Sequence, residues 1–142
     1  MPARMTTDAM HAYLDSKPGW AILSTLDPDG IPHTVALGYY RLGDELVMGV
    51  RDATNKVANI ERDGRVSVLV ESGSTMADLK GVMLQGHATV HRAADEVLHY
   101  AREGAKLRGV SEAELPTQAT PGAVYIRVTP ERVRSWDYGA AS

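Results

Sequence analysis

Two runs with strand-like patterning, WAILSTLD and IPHTVALGYY, are separated only by the tight turn DPDG, and this spacing constrains the fold more than any other feature. Parallel neighbours need a crossover of about a dozen residues or more, so strands joined this closely pair antiparallel. Pro28 and Gly30 stand where a hairpin turn wants one fixed φ and one left-handed φ. In the returning run His33, Val35, Leu37 and Tyr39 alternate with Thr34, Ala36, Gly38 and Tyr40, which sends one set toward a core.

The pattern continues along the chain. The turn LGDE leads into LVMGV, RVSVLVE is apolar enough to predict burial on both faces, and KGVMLQGHATVHR sets Val82, Leu84, Gly86, Ala88 and Val90 against Met83, Gln85, His87 and Thr89. AVYIRVTPERVRSWDY reads as a strand, a proline-marked bend and another strand. Helical spacing occurs three times: Met10, Tyr13 and Leu14 behind a Thr6 or Thr7 cap; Ala53, Val57 and Ile60, closed by RDG; and Val97, Leu98, Ala101 and Ala105 within about Ala94 to Leu107. SGSTMADL and GVSEAELPTQATPG are connectors, the second with a helical turn at SEAEL. The expectation is a mainly β, α+β fold built as a six-stranded antiparallel barrel with helical additions. With 142 residues, 44% of them hydrophobic, residues 1–142 are expected to form one domain.

Composition excludes several classes of chemistry. The absence of cysteine removes disulfides, thiolate metal sites and a cysteine nucleophile. A net charge of −3 gives the chain as a whole no attraction to nucleic acid or to an anionic membrane. No apolar stretch approaches the ~20 residues that span a bilayer, and no signal-like segment opens the chain, so a cytoplasmic location is expected. On a strand, His87 and His91 lie about 13 Å apart, too far for one ion, and no metal is expected. No serine occupies a G-x-S-x-G elbow, and no Walker or G-x-G-x-x-G loop follows a strand. Catalysis by protein groups alone is not visible, which favours a borrowed cofactor.

The segment RDATNK, residues 51–56, stands at the seam between a strand and a helix. The first amides of a helix lack intrahelical acceptors and attract anions, so Arg51, Thr54, Asn55 and Lys56 are candidate phosphate ligands. The alternative is a plain Thr54 cap between solvated charges.

Three stretches, VMGVRDATNKVANIERDGRVSVLVE, LKGVMLQGHATV and RVRSWDYG, together resemble the pyridoxamine 5'-phosphate oxidase-like split-barrel flavoproteins, and among them most the actinobacterial reductases that use coenzyme F-420. The resemblance runs from about Trp20 to Gly139. It implies a six-stranded split barrel of the FMN-binding type that forms a homodimer, with cofactor sites at the interface. It implies that Arg51, Thr54, Asn55 and Lys56 hold the cofactor phosphate, with Val50 at the strand end as a further cofactor-binding position, and that His33, Thr34, Val35, Ala36 and Leu37 line its ring. Gly81 falls near a ring contact, and Trp136 matches an aromatic that approaches from the partner chain. Arg132 and Arg134 share the Trp136 face if the alternation holds, and are candidates to meet an anionic cofactor tail. Thr54, Asn55 and Lys56 replace the Ser-Arg-Lys triplet of the vitamin B6 oxidases, which argues against that reaction.

The implied activity is an oxidoreductase that moves a hydride between reduced coenzyme F-420, an 8-hydroxy-5-deazaflavin, and a small conjugated substrate. FMN is the alternative cofactor, and a non-catalytic flavin- or haem-binding protein is the alternative class. His33 and Tyr39 are the candidate proton donors.

Overall fold

A computed structural model describes residues 2–140. The elements run α1 (Thr7–Asp15), β1 (Ala21–Leu26), β2 (Pro32–Leu37), β3 (Tyr40–Leu42), β4 (Glu45–Arg51), α2 (Asn55–Arg62), β5 (Arg65–Ser72), β6 (Lys80–His91), α3 (Ala94–Leu107) and β7 (Ala123–Asp137), with a 3-10 turn at Glu112–Glu114. The strands form one antiparallel sheet in the order β2-β1-β5-β6-β7-β4-β3. Its two edges, β2 and β3, do not pair with each other, so the sheet is seven-stranded and not closed, where the sequence predicts a six-stranded barrel.

Two local features account for the difference. IPHTVALGYY is not one strand: Gly38 and Tyr39 interrupt it, and both Tyr39 and Tyr40 are buried, which strict alternation forbids. The Tyr39 phenol donates to the Leu14 carbonyl and the Tyr40 phenol to the Tyr100 carbonyl, each at 2.6 Å, so consecutive rings enter different parts of the interior. Conversely, the final segment is one long strand. Opposite β6 the register slips between Gln85, paired with Arg132, and Gly86, paired with Pro130, which leaves Glu131 as the extra residue of a β-bulge. A proline has no amide for the ladder, and the bulge absorbs it without ending the strand.

The main core gathers Leu23, Leu46, Met48, Val57, Ile60, Val68, Val70, Val82, Val124, Ile126 and Val128. On β5, Val66, Val68 and Val70 are buried while Ser67 and Leu69 are only partly covered, so one face of this strand is buried rather than two. Helix α1 starts with the Thr6 hydroxyl accepting from the Ala9 amide at 3.1 Å and buries Tyr13 and Leu14. Helix α3 buries Val97 and Ala105 of the predicted face together with Tyr100 and Gly104, whereas Leu98 and Ala101, one residue further round, are only partly covered. Gly104 is needed there, because a Cβ would stand 2.8 Å from the Tyr40 ring. No helix among the described residues is long and apolar enough to cross a membrane.

Candidate functional site

The seam is where the sequence places it, between the end of β4 and the start of α2. Val50 is core, Arg51 is exposed, and the Arg51 guanidinium lies against Gly122, 3.5 Å from where a Cβ would be. Asp52 accepts from the Ala53 amide at 2.8 Å, and Ala53 takes a left-handed φ of 58° that turns the chain into the helix. Ala53 is therefore outside α2 and not part of its apolar face.

Thr54 is the N-cap residue, yet its side chain does not cap: the hydroxyl donates back to the Arg51 carbonyl at 3.1 Å. No acidic residue occupies the first turn. The amides of Asn55 and Lys56 thus face outward with no side-chain acceptor, the condition under which a helix start receives an anion. Neither Arg51 nor Lys56 has an acidic partner among the described residues. The nearby acids are held elsewhere, since Arg92 binds Asp52 at 3.1 Å and Glu61 at 2.5 Å. Those contacts hold the Asp52 and Glu61 carboxyls below their ordinary pKa values and offset two negative charges beside the seam.

Asn59 fixes α2 against the hairpin of β1 and β2. It is buried, and its amide donates to the Thr25 hydroxyl at 3.0 Å and to the Asp27 carboxylate at 2.9 Å, while Arg62 donates to its oxygen at 3.0 Å. Thr25 pairs with His33. Lys56 lies one turn before Asn59 on the same side of the helix, so the seam and the inner row of β2 are joined through β1. A polar residue between Val57 and Ile60, at a core-facing spacing, is the sequence signal for this contact. Nothing in the sequence marks Arg92 as its electrostatic counterpart.

On β2, His33, Val35 and Leu37 turn inward, and Val35 and Leu37 pack against the core. Thr34 and Ala36 turn outward, with the Thr34 hydroxyl 2.9 Å from that of Ser24. As an edge strand, β2 leaves backbone donors and acceptors free on one side, as a heteroaromatic ring edge requires. Among the described residues, His33 Nδ1 is buried without a partner. The two proton-donor candidates differ accordingly. Tyr39 is committed to the Leu14 carbonyl, and burial pushes its phenol up to about 12.

Gly81 pairs with Trp136, whose indole fills the space a Cβ would take, at 2.8 Å. Arg132, Arg134 and Trp136 share the outer face, paired in turn with Gln85, Met83 and Gly81. Ser24, Ser67, Gln85 and Arg132 follow one another across four strands and line a cleft of about 690 Å³. A second cleft, of about 680 Å³, lies at the other end of β2 and is lined in part by Leu37, one of the residues expected to line a cofactor ring. Neither cleft is lined by Arg51, Thr54, Asn55 or Lys56; Arg51 and Asn55 are exposed, and Thr54 and Lys56 are partly covered. Among the described residues, no three His, Asp or Glu side chains are grouped to hold a metal.

Among solved structures, a conserved hypothetical protein of Mycobacterium tuberculosis matches with a TM-score of 0.78 at 24% identity, over 97% of this chain and 90% of that one. The haem storage protein HutZ of Vibrio cholerae matches with a TM-score of 0.67 at 13% identity, over 96% and 100%. A reductase named for coenzyme F-420 matches with a TM-score of 0.63 at 20% identity, over 85% and 93%. At these identities the likeness carries the fold. No curated protein matches significantly. The family described as pyridoxamine 5'-phosphate oxidase matches residues 6–137, nearly the whole chain, and the chain belongs to that family.

Proposed function

We propose that this chain is an oxidoreductase that binds coenzyme F-420 and acts as a homodimer on a small conjugated substrate. The carrying observation is the start of α2, which among the described residues is uncapped by any side chain and flanked by Arg51 and Lys56 without acidic partners. Exposed amides and two cations fit the phosphodiester that joins the deazaflavin to its tail. Arg132 and Arg134 also lack acidic partners among the described residues and suit the carboxylates of that tail. The open surface at the seam is consistent with a second wall contributed by a partner copy. The F-420-named reductase of the same fold supports the cofactor assignment.

When bound and reduced, the coenzyme supplies a hydride. The residues of this chain would do the rest: the α2 start and Lys56 would anchor the phosphate, the edge of β2 would orient the ring, and Val35 and Leu37 would keep the core side of that strand dry. His33, with an unpartnered nitrogen in the same strand, is the group placed to hold a proton or a hydrogen bond there.

The test is a fluorescence titration of cofactor-free protein with F-420 and with FMN, repeated on Lys56→Ala. A charge-assisted phosphate contact contributes about 1.5–3 kcal/mol, so the variant should bind F-420 at least about tenfold more weakly. Binding of FMN alone would overturn the coenzyme assignment and keep the clamp. A Soret band on haem addition with no flavin binding would overturn the oxidoreductase reading.

A further inference from the structure

We propose that the cleft between the end of α1, the β2–β3 junction and the end of α3 binds a small amphipathic anion: a carboxylate carrying an apolar body about the size of a fused ring pair. Its volume, about 680 Å³, lies within the range of small-molecule sites. The walls are apolar and aromatic, with Trp20 and Leu107, 68% and 60% exposed, facing Leu37, Tyr39 and Tyr40. Such large apolar side chains gathered around one cavity, rather than scattered singly, mark a surface made to be covered.

The charges around the cleft define the occupant. Its lining holds three cations, Lys17, Arg41 and Arg108, against one acid, Asp15, in a chain whose net charge is −3. Asp15 is taken by Arg41 through two bonds of 2.9 and 2.7 Å, and the third Arg41 nitrogen donates to the Gly43 carbonyl. The next acid on α3, Glu103, is paired with Lys106. Lys17 and Arg108 remain without acidic partners among the described residues.

These two cations act on each other. Burial pulls the Lys17 ammonium below its ordinary pKa; Asp15 opposes that shift and the charge of Arg108 adds to it. Lys17 is held in place by donating to the Tyr39 carbonyl, and its ammonium lies 4.1 Å from the centre of the Tyr39 ring. Its backbone takes a left-handed φ of 54°, unusual for a lysine, at the end of α1. Arg108 extends over Gly104, its Nη1 3.4 Å from where a Cβ would stand. Like charges facing an apolar cavity are relieved by a counter-anion, and a neutral ligand offers no such relief. Leu37 belongs both to this cleft and to the residues assigned to the cofactor ring, so the bound anion would lie beside the ring as substrate. That role rests on the oxidoreductase reading, whereas the binding itself does not.

The experiment uses isotope-labelled, cofactor-free protein titrated with naphthalene-2-carboxylate and, separately, with naphthalene-2-carboxamide, followed by the backbone amide signals of Gly19, Gly38 and Gly104. The carboxylate should shift these signals saturably and bind about tenfold more tightly than the amide, the size of one charge-assisted contact. Arg108→Gln should reduce that preference to about twofold or less, and Leu107→Asp, at an exposed position, should weaken the carboxylate more than the amide. Equal affinities in the wild type, shifts confined to other residues, or protection of these glycines by a second copy of the chain would each overturn the proposal. Carboxylate binding with no F-420 binding would overturn only the role as substrate.

Discussion

Replacing Asn59 with alanine tests whether α2, and with it the seam, is held by one buried amide. The substitution removes a donor from the Thr25 hydroxyl, which is 1% exposed, a donor from Asp27 and an acceptor from Arg62. Leaving the buried hydroxyl with one partner fewer costs about 1 kcal/mol, and losing the charged bond to Asp27 about 1.5. The Arg62 bond contributes under about 1 kcal/mol, because that guanidinium regains water. The better helix propensity of alanine returns roughly 0.5 kcal/mol, for a net loss of about 2.5. In a chain of 142 residues this lowers Tm by roughly 8 °C, readable by calorimetry or by the urea midpoint at constant m. Asn59→Asp is the matched control: it keeps the volume but sets a second carboxylate against Asp27. Its deficit should be larger than that of alanine at neutral pH and should shrink as the pH falls through the carboxylate range. A loss under about 1 kcal/mol for the alanine variant would refute the idea that this amide ties α2 to the hairpin.

Other expectations follow from the same geometry. Gly86→Ala would drive a methyl into the Thr129 carbonyl and to within 2.9 Å of Glu131 N and Pro130 Cα, all backbone atoms, so a loss above about 3 kcal/mol or failure to fold is expected on chemical denaturation. Burial raises the phenol pKa values of Tyr39, to about 12, and of Tyr40. The unfolded chain therefore ionises first, and stability should fall as pH rises above about 10, with Tyr39→Phe flattening that loss in pH-dependent denaturation. Arg92→Gln frees the Asp52 and Glu61 carboxylates beside the seam; F-420 should bind more weakly at low salt, with the difference closing at about 0.5 M, where such charges are screened.

Local alternation made most strands legible, and helical spacing placed α3 at Ala94–Leu107. It failed where tertiary contacts overrule the period. Tyr39 and Tyr40 break the β2–β3 run because their phenols find carbonyls on α1 and α3, partners no local window contains. Pro130 reads as a strand break, but a bulge against Gly86 lets β7 continue. The seam was visible because a helix start needs ligands of known type. Its supporting residues, Asn59 on a core face and Arg92 after β6, act across 31 to 40 residues of sequence and left only the weaker trace. The cleft was not legible at all, since Lys17, Leu37 and Arg108 meet only in three dimensions.

The length of β7 has one more effect. Beyond Val128 it no longer pairs with β4, so along the Thr129–Trp136 stretch one row of backbone groups is left without a neighbouring strand among the described residues. An open row of this kind templates aggregation unless it is blunted. Glu131, Arg132 and Arg134 place charges along it, and the segment Ala3–Met5 covers its far end, with Ala3 bridging Asp137 and the Met5 amide donating to the Ser135 hydroxyl at 2.9 Å. Residues 3–5 thus act as a guard against unwanted strand addition. A substitution at Ala3 that breaks this bridge would remove that guard, and association beyond the proposed homodimer would be its first symptom, well before any loss of fold.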